Sequence, residues 1–142
     1  MDDDTTVDFL EQAHPRVDSL LPAESRHVSV WIDAAPDAVY AFASDRAELP
    51  RWAAGLADPS LADADVEFAP FNEFGVLDHV VRLPSGETAY NPMRVIPAGQ
   101  GVARCEVVFT VRRRPGMTDQ QFEADAAAVT ADLETLRELL AD

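Results

Sequence analysis

His79 and Asn91 are the two polar residues that strand alternation turns toward the apolar side of a sheet, so chemistry is expected there. A histidine in that position titrates near neutral pH. It can take a proton as a general base or hydrogen-bond a ligand carbonyl. An asparagine can hold a ligand oxygen or polarise a carbonyl. Each also has a plain structural use. His79 can bond a neighbour and close the core, and Asn91 can bond the strand or turn ahead of Pro92. Asp78 and Arg94 could anchor a ligand, but alternation sends both outward, where a surface cross-strand ion pair is expected.

A ligand pocket also needs apolar walls. Trp52, Phe71, Phe74, Leu77 and Met93 are expected to line it, with Val107, Phe109, Phe122 and Val129. Tyr40 and Phe42 are further aromatic candidates. Plain core packing is the competing use of all of them.

Other chemistries are excluded or disfavoured. All 11 basic residues are arginine, so a lysine Schiff base is impossible. The single cysteine, Cys105, permits no internal disulfide and no cysteine-based zinc site. His14, His27 and His79 are scattered, and no metal site is expected. There is no glycine-rich phosphate loop and no Gly-x-Ser-x-Gly elbow, so no nucleotide cofactor is expected either. A formal charge of −15 disfavours nucleic acid and anionic membranes as partners. The basic run Arg112-Arg113-Arg114 is expected to be a solvated strand end near the acidic last helix, with an acidic partner as the other reading. No apolar run reaches the roughly 20 residues that cross a bilayer. The start, Met1-Asp2-Asp3-Asp4, is unlike a signal peptide. A cytoplasmic monomer or homodimer is expected.

The elements that must hold these residues follow from pattern. Residues 1–25 read as an acidic, partly disordered arm, and residues 26–142 as one domain. Arg26–Asp33 alternates as a strand. Pro36 and Asp37 open a helix after it. A second helix is expected over Arg46–Ala54, kinked or stopped by Pro50. Gly55–Asp65 reads as a loop or weak edge strand. Val66–Phe71, Phe74–Leu83, Thr88–Pro97 and Val102–Arg113 read as strands, the last three forming an antiparallel meander. On its inner face fall Leu77, His79, Val81 and Leu83, then Ala89, Asn91, Met93 and Val95, then Cys105, Val107, Phe109 and Val111. Thr118 and Gln121 form a capping box. Phe122, Ala126, Val129, Leu133, Leu136 and Leu140 then recur at helical spacing. The expected fold is α+β, a helix-grip fold. A curved antiparallel sheet wraps a long C-terminal helix, with two short helices after the first strand.

The run Val28–Tyr40 resembles the opening strand-to-helix of the SRPBCC superfamily, which includes START-like lipid carriers, plant allergen-like binders and the polyketide cyclase/dehydrase group. Leu49-Pro50-Arg51-Trp52 is similar to its proline-tryptophan helix end. Gly75–Val81, Tyr90–Val95 and Phe109–Met117 resemble a subgroup of small bacterial proteins within it. The resemblance covers roughly residues 26–140. It departs in showing five strands where that fold usually has seven. It implies a cavity between sheet and last helix that holds a small hydrophobic molecule, of polyketide, lipid or metabolite type. Catalysis of cyclisation or dehydration is one expectation, with His79 moving the proton. A carrier or sensor is a second, and a co-chaperone-like protein-binding module a third.

Overall fold

The computed structural model describes residues 24–54 and 64–141. Most of the expected acidic arm, and most of the Gly55–Asp65 segment, lie outside the described residues.

Strand β1 (Ser25–Ile32) leads into helix α1 (Pro36–Ala43), which has proline in its first turn and Asp37 near its positive end. The expected second helix is shorter than its pattern. Arg46–Glu48 is a single 3₁₀ turn, capped by the Asp45 side chain on the Ala47 N–H. Helix α2 (Leu49–Trp52) follows, and Pro50 stands in its first turn. Proline lacks the N–H an α-helix interior needs, so it restarts the helix instead of kinking it.

Six strand segments form two three-stranded antiparallel sheets among the described residues. One has the order β1, β6 (Cys105–Arg112), β5 (Met93–Pro97). The other has β2 (Asp65–Phe68), β3 (His79–Arg82), β4 (Thr88–Asn91). The expected strand Thr88–Pro97 is therefore split at Pro92 and passes from one sheet to the other. Pro92 has no N–H to give to a ladder. The pairing register nevertheless continues across the break. His79 faces Asn91, the Leu77 N–H bonds the Met93 carbonyl at 2.8 Å, and the Val95 N–H bonds the Gly75 carbonyl at 2.8 Å.

Asp78 corrects the alternation argument. Its pairing with Arg94 is present, but Asp78 is buried where a surface position was expected. Its carboxylate accepts from the Arg94 guanidinium, from the Met93 N–H at 2.9 Å, and from the Tyr90 hydroxyl at 2.7 Å. Asp78 thus lies on the face opposite His79, covered by Tyr90 and Arg94, and takes the Met93 N–H beside the sheet break.

Helix α3 (Asp119–Leu140) closes the domain. The Thr118–Gln121 capping box is complete, with bonds of 2.9 and 3.1 Å. At 22 residues the helix is about 33 Å long. Phe122, Ala126, Leu133 and Leu136 are buried under it. Phe122, Leu133 and Leu136 meet Val30, Ile32, Met93 and Val107 of the sheets in one core. Cys105 is fully buried beside Ile32, its register partner. The basic run behaves as a strand end: Arg113 pairs with Glu24 and Asp119, and Arg114 lies near Glu87 and Asp125. No described helix is long and apolar enough to cross a membrane.

Gly75 (φ +74°) sits where the Val95 backbone comes closest, and a Cβ there would stand 2.1 Å from the Val95 carbonyl oxygen. Gly75→Ala is expected to cost more than about 2 kcal/mol, because αL strain adds to a backbone clash. Gly86 also has positive φ (+91°), but nothing lies within 4 Å. Gly86→Ala is expected to cost only about 1 kcal/mol. Urea denaturation midpoints of the two variants check the contrast; equal losses would refute it.

Candidate functional site

A cavity of about 200 Å³ lies between the α3 helix and the inner face of the β2-β3-β4 sheet. Its apolar walls include Val66, Val81, Phe109, Val129 and Leu133. Trp52 and Leu49 of α2 close one side. Three lining residues carry polar side chains other than the indole: His79 and Asn91 from the sheet, and Asp132 from α3. A larger groove of about 720 Å³ adjoins it, with Val81, Asn91, Phe109 and Val129 common to both. The groove adds charged residues at its rim, among them Arg112, Arg114 and Asp125.

His79 and Asn91 are direct register partners on β3 and β4, so the period of two sends both to the same face. His79 is buried, with its ring between Phe68 (5.1 Å between centroids) and Phe109 (5.6 Å). Its Nδ1 lies 3.0 Å from the Leu77 carbonyl oxygen. A carbonyl only accepts, so Nδ1 carries the hydrogen and Nε2 of the neutral ring is left as an acceptor. Burial pushes the imidazole pKa below its ordinary value, against smaller opposing effects of the Leu77 bond and the Asp78 charge. The ring is thus a neutral base at the wall of an apolar cavity.

Asp132 accepts from the Ala54 N–H at 3.2 Å. Burial raises its pKa, and that hydrogen bond opposes the rise. The Trp52 indole N–H is buried and has no acceptor among the described residues.

The expected pocket residues divide into three groups. Trp52, Phe109, Val129, His79 and Asn91 line the cavity together. Leu77, Met93, Val107 and Phe122 do not; each is packed solid in the core, at 2% exposure or less. Phe71 and Phe74 are corrections, being 87% and 76% exposed. The cause is Asn72 between them. Its side chain accepts from the N–H groups of Phe74 and Val76 and donates to the carbonyls of Pro70 and Val76. Those bonds curl the segment into a turn and throw the flanking aromatic rings outward. Tyr40 and Phe42 lie off the cavity as well. The Tyr40 hydroxyl accepts from the Asn72 N–H at 3.2 Å, and the Phe42 ring lies under Arg51. Asp132 was not among the expected residues. Its signal was its place three residues after Val129, which puts it on the same side of the helix.

No family model and no curated protein matches the sequence. The likenesses are in shape. DynU16, from the dynemicin biosynthetic locus, has a TM-score of 0.58 and 14% identity over 84% of this chain. This chain spans 48% of DynU16. An uncharacterised protein from Bacillus thuringiensis gives 0.51 at 13% identity, covering 84% of this chain and 100% of that one. Ara h 8.0201 gives 0.50 at 10% identity, covering 82% and 97%. The architecture is the helix-grip α+β fold: antiparallel sheets closed over a long C-terminal helix.

Protonating His79 is opposed in the folded state and free in the unfolded one. Stability should therefore fall as pH drops through the unfolded value near 6.5 toward the lower folded value. His79→Gln stays neutral throughout and removes that dependence. The stability of the native protein minus that of the variant is expected to fall between about pH 7 and pH 5. A difference that stays flat in chemical denaturation across that range would contradict the buried neutral imidazole.

Proposed function

We propose that this is an SRPBCC-type protein that binds a small, largely apolar molecule, of polyketide, lipid or related metabolite type, between the sheet and α3. The observation that carries the reading is the void itself. A cavity of about 200 Å³ adjoins a groove of about 720 Å³, and four residues are shared between them. Natural small-molecule sites are apolar concavities with a few convergent polar groups. A co-chaperone-like module would need that space filled, so the void favours a ligand over a protein partner. The origin of DynU16 in a biosynthetic locus also fits a metabolite as ligand.

The chemistry of the wall suits proton transfer beside a carbonyl. The Nε2 of His79 takes a proton from carbon, and the Asn91 amide holds the carbonyl oxygen as charge builds on it. Cyclisation and dehydration both need that step. A carrier or sensor would use the same pair only to orient its ligand. His79→Ala separates the two, since it costs an enzyme about 100-fold or more in turnover but shifts only affinity in a carrier.

Native mass spectrometry of the protein as purified from cells, followed by solvent extraction, tests the binding reading. A stoichiometric hydrophobic adduct is expected. Val129→Phe, at a wall shared by both compartments, is expected to abolish it while leaving the fold intact. An adduct that survives in this variant would place the ligand elsewhere and sink the assignment.

A further inference from the structure

The cavity side of α3 is apolar with one interruption. Val129 and Leu133 line the wall, and Asp132 stands between them in sequence and beside them in space. Among the described residues, its donor is the Ala54 N–H, and no arginine pairs with it. Asp132 is half-buried, and a carboxylate at an apolar wall without a counter-charge then carries part of the cost of desolvation. A ligand that donates a hydrogen bond to it offsets that cost.

The sheet side offers a second acceptor, the Nε2 of His79, and one amide, Asn91. A hydrogen bond to a carboxylate is roughly twice as strong as a neutral one, so a hydroxyl entering here is drawn to Asp132 first. The volume sets the size. About 200 Å³ compares with the roughly 150 Å³ cavity that accepts benzene in another protein, so one ring fits.

We propose that Asp132 determines ligand specificity: it accepts the hydroxyl hydrogen of a hydroxylated ring whose apolar body rests on Val66, Val81, Phe109 and Val129. The assignment rests on the ligand-cavity reading above and names the class of group that the inner end selects.

Two probes of the same shape test it, p-cresol and p-xylene, which differ by a hydroxyl against a methyl. Trp31 lies on the outer face under Arg104. Trp31→Phe therefore leaves Trp52, at the cavity wall, as the sole tryptophan. Its indole N–H signal in a two-dimensional NMR spectrum reports occupancy directly. At pH 7, p-cresol is expected to bind about 10-fold tighter than p-xylene, the ratio set by one charge-assisted hydrogen bond. Asp132→Asn keeps the shape and an acceptor for the Ala54 N–H. It should bring the ratio to about threefold or less while leaving p-xylene affinity within about twofold, which also reports an intact cavity. Equal affinities in the unsubstituted cavity, or a preference that Asp132→Asn leaves untouched, would overturn the role of Asp132 while the cavity reading stands. If neither probe moves the indole signal, the cavity reading fails and takes the assignment with it.

Discussion

Backbone pairing that runs through a broken strand holds the site side of this protein in register. Pro92 deprives the return strand of one donor just where it passes from one sheet to the other. Beside that break Asp78 takes the Met93 N–H, the Arg94 guanidinium and the Tyr90 hydroxyl. The pairing of residues 75–83 with 87–95 keeps a constant offset through the break. A slip of one residue would turn His79 and Asn91 to opposite faces. The two residues that meet in the cavity wall do so because the backbone pairing runs through the break, with Asp78, their neighbour on the other face, bonded across it.

That arrangement leaves the core and the cavity adjacent but distinct. Leu77, Met93, Val107 and Phe122 are packed solid in the core. Farther along, the smaller Val129 and the short Asp132 face His79 and Asn91, and the space stays open. The same helix thus seals the core through Phe122 and Leu136 and leaves a recess between them at Val129 and Asp132. The difference is one of side-chain volume, with Phe122 on the filled side and Val129 on the open one.

Much of this was legible in the residues. Helical spacing from Phe122 to Leu140, the Thr118–Gln121 box and the alternation of β6 depend on local physics, and the structure follows them. Alternation also put His79 and Asn91 on one face, since register partners share a side. It put Asp78 and Arg94 outward as a pair, which they are, but could not foresee that Tyr90 and Arg94 would cover the carboxylate. Phe71 and Phe74 were read as interior on their hydrophobicity, but the Asn72 side-chain bonds decide their direction. Asp132 lies at helical spacing from Val129, yet an acid in a helix full of acids gives no sign of facing inward.

Cys105 carries a separate consequence. It is the chain's one thiol, fully buried where β6 pairs with Ile32 of β1, and burial raises its pKa. A thiol reagent therefore meets it only when the core around it opens. Its alkylation rate is a clock for opening of the core, blind to fraying of the helix ends.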